Sequence, residues 1–188
     1  NVAVAGKVTA SSMQLTGDHV SVLTGAALSS DGGSILVGGD WQGSNGVRQA
    51  ITTTLEAGAT IDAGQGGVAV LWSDITNANS VTTVAGTVRA LGGRIETSGY
   101  LLELPGVVQA GAGGTWLIDP NNVTISAGAT TGGTLPTFTA GAAASIVNAT
   151  NIQTAVNAGT AVSIIADGTI TQSVALAFAP AAGLTGSL

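Results

Sequence analysis

In four places along this chain, a pair of adjacent glycines directly precedes a short run of mainly β-branched and aliphatic residues. Glycine adopts backbone conformations with positive φ that β-branched residues avoid, so such pairs suit the corners between strands. The chain is therefore expected to wind around an axis, and the stretch 92–125 is its least interrupted turn. The pairs are Gly32-Gly33, Gly66-Gly67, Gly92-Gly93 and Gly113-Gly114, and the strands predicted after them are residues 34–37, 68–72, 94–97 and 115–118.

A second repeat supports this interpretation. A triplet made of an aliphatic residue, any residue and then Ala or Ser occurs five times after a glycine. Its copies begin 20, 33, 27 and 20 residues apart. Loop-like insertions at 39–46 and 74–80 account for the longer intervals. With a base length near 20, the chain would form roughly seven to nine stacked coils of a β-solenoid. The copies are Val8-Thr9-Ala10, Leu28-Ser29-Ser30, Ile61-Asp62-Ala63, Val88-Arg89-Ala90 and Val108-Gln109-Ala110.

Composition excludes several other classes of protein. No apolar run approaches the ~20 residues of a spanning helix, and a hydrophobic content of 45% with a net charge of -6 argues against disorder. The absence of cysteine excludes disulfides and thiolate metal sites. Four scattered Lys and Arg residues form no basic cluster, so nucleic-acid binding is not expected.

The chain divides into two parts by pattern. Residues 1–125 read as β-helix coils with glycine-rich corners, and residues 126–188 as a continuation with an irregular loop over 126–144. Thr150 to Gln153 has the form of a capping box and predicts a short helix near 150–158 that Gly159 ends. A one-sided Ala-rich strand is the competing interpretation of this segment. Strands are predicted at 161–165 and 169–178.

Several stretches resemble large bacterial exoproteins of the filamentous haemagglutinin type, which are secreted by the two-partner route. Residues 32–43, GGSILVGGDWQG, resemble the family's GG-x-[VI]-L-[IV]-GGD-[YW]-QG stretch. Residues 66–74, GGVAVLWSD, are similar to GGKVVLWSD, and residues 114–125, GTWLIDPNNVTI, are similar to GTWLLDPNNITI. The matches run in family order from about residue 6 to residue 165.

This resemblance implies a right-handed parallel β-helix that is secreted or displayed on the bacterial surface as a shaft segment of an adhesin. Its implied partners are an outer-membrane transporter during secretion and a host or neighbouring-cell surface or glycan. Exposed coil edges make further copies of the chain another expected partner. It implies no catalytic residue, no cofactor and no metal. The motif residues it assigns to coil structure are Gly32, Gly33, Gly66, Gly67, Trp72, Gly92, Gly93, Gly113, Gly114, Trp116, Asp119 and Pro120.

Candidate catalytic and metal-binding residues are few. His19 lies beside Asp18 and near Ser21, but neighbours on a strand face opposite sides, so a catalytic triad is disfavoured. Asp31, Asp40 and Asp74 near glycines could hold Ca²⁺, although the calcium-binding nonapeptide repeat is absent.

Other polar residues also have competing interpretations. Stacking would align Asp62, Arg89 and Gln109, with an outward-facing ion pair between the first two. Asn122 and Asn148 each begin a glycosylation acceptor triplet.

The large side chains and one turn complete the predictions. Trp72 and Trp116 are expected to fill the core or cover a corner, and Trp41 is expected to be the exposed tryptophan. Residues 119–122, DPNN, read as a turn.

Three functions remain open from the sequence. The first is a non-enzymatic extracellular β-solenoid of an adhesin or surface filament, and the second is a self-assembling fibre subunit whose coil edges pair. The third is a polysaccharide-degrading β-helix enzyme, which needs carboxylates converging in a groove.

Overall fold

The computed structural model describes residues 1–127 and 145–188, and within them the fold is all-β, with one short helix. The helix is α1 (Ala149–Asn157), and a 3-10 turn spans Trp41–Gly43. The strands are β1 (Val2–Val4), β2 (Lys7–Thr9), β3 (Met13–Leu15), β4 (His19–Val22), β5 (Ala27–Ser29), β6 (Ser34–Val37), β7 (Thr52–Leu55), β8 (Thr60–Asp62), β9 (Val68–Trp72), β10 (Val81–Val84), β11 (Thr87–Arg89), β12 (Arg94–Gly99), β13 (Leu101–Glu103), β14 (Val107–Gln109), β15 (Thr115–Pro120), β16 (Val123–Ser126), β17 (Ser145–Asn148), β18 (Ala161–Ile164) and β19 (Ile170–Gln172).

Three parallel sheets are built by strands that visit them in turn. Sheet A has the order β1-β4-β7-β10-β13-β17-β16-β19, sheet B the order β14-β11-β8-β5-β2, and sheet C the order β18-β15-β12-β9-β6-β3. From β1 to β15, each coil gives one strand to each sheet, so the described residues form five complete coils of a parallel β-helix. The predicted fold class is confirmed, and the handedness of the winding stays a prediction.

The described residues form fewer coils than the seven to nine expected for the whole chain. The expected seven to nine coils assumed that all residues wind at one length, whereas loops take up much of the chain between β6 and β7 and between β9 and β10.

The repeated triplet predicts the register of sheet B correctly. Its first residues pair in one column, Val8 with Leu28, Leu28 with Ile61, Ile61 with Val88 and Val88 with Val108. This column packs inward because one coil has too little apolar surface to bury its inner face alone. Leu28, Ile61 and Val88 are at most 1% exposed.

The two glycines of each pair have different structural roles. The first has positive φ, between 65° and 75° at Gly32, Gly66, Gly92 and Gly113. The second leaves no room for a side chain, because a Cβ at Gly93 would lie 2.1 Å from the Gly67 carbonyl oxygen. The pairs therefore turn the chain and let successive coils approach closely, and all four predicted strands follow them.

The sixth coil departs from the pattern. Among the described residues, sheet B ends at β14. Helix α1, which follows β17 of sheet A and precedes β18 of sheet C, contacts β14 instead of adding a strand. Asn148 caps α1, accepting a hydrogen bond from the Thr150 backbone N–H at 2.7 Å, so the predicted capping box at Thr150 is wrong by two residues. Ile152, Ala155 and Val156 are buried, and Gly159 follows with φ +86°, as the pattern predicted.

Three other local predictions are corrected. Asp119 and Pro120 end strand β15, so the turn starts only at Asn121. Residues 173–178 are not strand, which shortens the predicted strand at 169–178 to β19. Ser126 belongs to β16, and most of the predicted irregular loop at 126–144 lies outside the described residues.

Candidate functional site

The outer face of sheet C is the most unusual surface among the described residues because it is covered. Alternate side chains on this sheet point away from the axis, and one outward column pairs Leu36 with Val70, Val70 with Glu96 and Glu96 with Leu117. Val70 and Glu96 are 0% exposed, and Leu117 is 6% exposed. An outward column that is buried to this degree needs a cover.

Residues 39–49, here called the cover loop, form that cover. Asp40 caps the 3-10 turn by accepting the Trp41 backbone N–H at 2.7 Å, and its other oxygen accepts from the Asn45 side chain at 2.7 Å. Gln42 and Asn45 have left-handed backbones, with φ of 50° and 57°. This conformation is uncommon for residues other than glycine, and it tends to occur where function constrains the backbone.

Trp72 is the apolar anchor of the cover loop. It stands in the next outward column of sheet C, 1% exposed, and its indole N–H donates to the Gln49 side-chain oxygen at 2.9 Å. Two glycines of the loop lie against its ring, since a Cβ at Gly39 would be 2.4 Å from Cδ1 and one at Gly43 would be 2.8 Å from Cζ2. The loop can pack this closely only because both residues lack a side chain.

Glu96 is the polar anchor. One carboxyl oxygen accepts the Gln42 backbone N–H and the other accepts the Ser98 hydroxyl, both at 2.9 Å. Burial raises the pKa of Glu96 to about 7, against the lowering effect of these two hydrogen bonds, and the nearby Asp119 and Asp40 raise it further. Burial likewise raises the pKa of Asp119 to about 6, with a contribution from Asp167. Acidic groups thus gather beneath and beside the loop, where burial disfavours their charged forms.

Two further contacts fix the ends of the cover loop. The Arg94 guanidinium lies over the Trp41 ring, 4.8 Å from its centroid. At the other end, Arg48 pairs with Asp18 at 2.5 Å, and this hydrogen-bonded ion pair lowers the pKa of Asp18. Beside the loop, a cleft of about 220 Å³ opens between Trp41, Leu117 and Ile165.

The catalytic triad that the sequence disfavoured does not form around the histidine. His19 is exposed, and its Nδ1 lies 2.9 Å from the Thr52 hydroxyl. Asp18 pairs with Arg48 instead of orienting the imidazole, which agrees with the expectation that the neighbours face opposite sides.

The predicted column of Asp62, Arg89 and Gln109 is confirmed by the pairing of β8, β11 and β14. The ion pair expected between Asp62 and Arg89 is absent from this part of the chain, because Asp62 accepts the Gly64 backbone N–H at 2.9 Å instead.

The three aspartates considered as calcium ligands do not lie in one site: two hydrogen-bond within separate turns and the third is exposed. Asp40 caps the cover loop, and Asp74 accepts the Thr76 backbone N–H at 2.9 Å, while Asp31 is exposed. In the described ranges, no three His, Cys, Asp or Glu residues are placed to hold a metal ion.

Both acceptor asparagines have structural partners. Asn122 accepts hydrogen bonds from the backbone and the hydroxyl of Thr169, and Asn148 caps α1. Their glycosylation stays a prediction.

The tryptophans behave largely as expected. Trp116 is 2% exposed in the core, where its indole N–H donates to the Thr97 hydroxyl at 3.0 Å, and Trp72 lies under the cover loop. Trp41 is half-buried by its contact with Arg94, so it is less exposed than the polar loop predicted.

Sequence reasoning did not predict the covered face or the burial of Glu96. One signal was present: residues 68–72, VAVLW, are apolar at every position, as in strands buried on both faces. The loop that provides the cover begins 29 residues before β9, and nothing in the pattern shows where it folds.

No protein-family model matches the sequence, and no curated protein matches it. No helix in the described part of the chain has both the length and the apolar character to cross a membrane.

Proposed function

We propose that this chain is a non-enzymatic extracellular β-solenoid, a shaft segment of a secreted bacterial adhesin or surface filament. The observation that carries the proposal is that the motif residues all have structural roles. The glycine pairs turn and space the coils, and Trp72 and Trp116 are buried against a loop and in the core. Residues that hold stacked coils together serve a rod that presents surface along its length.

The resemblance to exoproteins of the filamentous haemagglutinin type supplies the location and the partners. The proposed chain is exported through an outer-membrane transporter and contacts a host or neighbouring-cell surface, or a glycan on it. The stretch GDWQG, residues 39–43, forms the start of the cover loop, so this part of the resemblance corresponds to a specific structural unit.

The self-assembling fibre is the less favoured alternative. End-to-end stacking needs all three sheets to continue from one copy to the next, because each coil pairs along its whole edge. At the end formed by the sixth coil, α1 contacts β14 and occupies the place where the next strand of sheet B would pair. Sheet B of a second copy has no free edge there.

The polysaccharide-degrading alternative draws on one observation, the proximity of Glu96 to Asp119 and Asp40. Glycoside hydrolysis requires two carboxyl groups on either side of a bound sugar. Glu96 is 0% exposed and Asp119 is 6% exposed, and the cover loop lies over the first of them. This arrangement suits an anchor for a loop better than an open catalytic pair.

The test of the proposal is the location and binding of the chain. Antibodies against the purified chain are expected to label intact cells of the bacterium that encodes it, and deletion of the transporter gene is expected to abolish the labelling. Purified chain is expected to bind host-cell layers or immobilised glycans saturably, with unlabelled chain as competitor.

Two results would contradict the proposal. Labelling only after the cells are permeabilised would show that the chain stays inside. Cleavage of a glycan by the purified chain, lost in Glu96→Gln and retained in Glu56→Gln, would favour the enzyme.

A further inference from the structure

We propose that the cover loop is a pH-sensitive latch, which closes on the outer face of sheet C while Glu96 is protonated and opens when this carboxyl ionises. The proposal goes beyond the shaft function, since it concerns a conformational change in one loop of the rod.

The geometry makes Glu96 the polar contact that holds the tip of the loop. The hydrogen bond from the Gln42 backbone N–H spans 54 residues of sequence and joins the loop to strand β12, two coils above β6. Gln42 has φ 50° and ψ 37°, a left-handed conformation that is strained for a residue with a side chain. The contacts of the closed loop must offset this strain. Ionisation leaves the Gln42 hydrogen bond in place, since a carboxylate oxygen also accepts it, but it creates a charge that burial disfavours, and opening returns that charge to water.

The charges around Glu96 oppose its ionisation. Asp40 faces it from the cover loop and Asp119 from β15, and Asp167 lies near Asp119. The adjacent outward positions on β9 and β15 are Val70 and Leu117, which carry no charge.

Neither Arg94 nor Arg48, the basic residues that contact the ends of the cover loop, forms an ion pair with Glu96. Arg94, two residues earlier on β12, lies over the Trp41 ring, and Arg48 pairs with Asp18 at the far end of the loop. Ionised Glu96 would therefore be a buried charge without a paired cation, which is the costly case.

The direction of the pH effect follows from the raised pKa of Glu96. The pKa of Glu96 is raised from 4.5 to about 7 in the closed structure. Its stabilising effect on the closed loop is thus fully present below the ordinary pKa and is lost as pH rises through 7. Closure is favoured in mildly acidic solution, and opening is favoured in mildly alkaline solution.

Opening would also change the surface of the rod. Trp72 and Val70 lie under or beside the loop, and both are at most 1% exposed when it is closed. Release of the loop would expose them and break the hydrogen bond between Trp72 and Gln49. Tryptophan fluorescence and the binding of an apolar dye therefore report on the opening.

The test is amide hydrogen exchange of the full chain at pH 5.5 and pH 8, expressed as protection factors so that the intrinsic pH dependence of exchange cancels. If the open loop has an ordinary glutamate pKa, the population of the open state rises about 25-fold between these values. The Gln42 amide is expected to lose protection by that factor, with a parallel shift of tryptophan fluorescence. The Val88 amide in sheet B, far from the loop, is expected to keep its protection.

Two variants assign the effect to Glu96. Glu96→Gln keeps an acceptor for the Gln42 N–H without a titrating group, so Gln42 protection should be equal at the two pH values. Asp119→Asn removes a neighbouring carboxylate and should move the midpoint of opening to lower pH. Glu56→Gln, at a corner where the carboxyl accepts from Thr24, is the matched control and should titrate like the wild type.

Two outcomes overturn the proposal. Equal Gln42 protection at pH 5.5 and pH 8 in the unmodified chain rejects the latch, and this result needs no variant to fold. Retention of the full pH dependence in Glu96→Gln assigns it to another group.

Discussion

At the scale of single residues, the two glycines of each pair are required for two different physical reasons. The first glycine of a pair is needed for its positive φ, and the second for the closeness of a neighbouring backbone. Composition and spacing predict that glycine belongs at both places. Only the structure separates the two reasons, because the approach of Gly93 to Gly67 joins residues of different coils.

Replacing these glycines by alanine should therefore destabilise the chain to different degrees. Gly113→Ala places a side chain at φ +72° in open space, which costs about 1–2 kcal/mol. Gly93→Ala forces the Gly67 carbonyl away from a Cβ that would lie 2.1 Å from it, so we expect a loss of ~3 kcal/mol or more. The free energy of unfolding in urea measures both.

Gly6→Ala is the matched control, since a Cβ there meets nothing within 4 Å and its φ is not positive. It should change stability by less than ~1 kcal/mol, in either direction. Equal losses for Gly93→Ala and Gly113→Ala would show that close backbone approach does not limit the second position.

At the scale of elements, prediction succeeded where the coil repeats without interruption. The triplets that form sheet B lie in register because each coil places the same inward residue above the last, so a pattern in sequence becomes a column in space. The cover loop has no such repeat. Its place is decided by Trp72 and Glu96, which lie on strands of later coils, and Glu96 occupies an outward position that alternation alone would leave in solvent.

The helix cap illustrates a smaller failure of prediction at the same scale. Both Asn148 and Thr150 are suitable capping residues, and the sequence pattern favoured the second because Gln153 follows it by three. The structure begins α1 two residues earlier, where the last residue of β17 leads directly into the first turn.

Asn148→Ala should lower stability by about 1 kcal/mol, because it removes the acceptor of the Thr150 backbone N–H. Thr150→Ala should have an effect within ~0.5 kcal/mol, since that side chain is exposed. Thermal unfolding followed by circular dichroism compares the two. Both variants abolish the same glycosylation acceptor triplet, so any effect of a glycan on stability would be equal in the two. A larger loss of stability in Thr150→Ala than in Asn148→Ala would support the capping box predicted from the sequence.

At the scale of the whole molecule, the change from strand to helix in the sixth coil decides what the rod can join. Sheets A and C continue beyond β15, whereas sheet B meets α1. A stacked sheet exposes unpaired backbone groups at its last strand, and such edges pair readily with other chains. A helix that packs on the edge of β14 therefore protects the edge of sheet B from pairing with another chain.

Detaching α1 should then promote self-association. Ile152 is 0% exposed on the face of α1 that packs on the coils, and an aspartate there would bury an unpaired charge, which favours release of the helix. We expect Ile152→Asp to sediment as dimers or larger species, and Thr154→Asp, on the exposed face of the same helix, to sediment as the wild type does. Hydrogen exchange of residues 149–157 shows whether the helix has left, and exchange of the Val88 amide shows whether the coils have stayed folded. If the helix is released while the coils stay folded and the variant remains monomeric, α1 does not protect the edge of sheet B. The edge of sheet B at β14 would then offer no support for the fibre alternative.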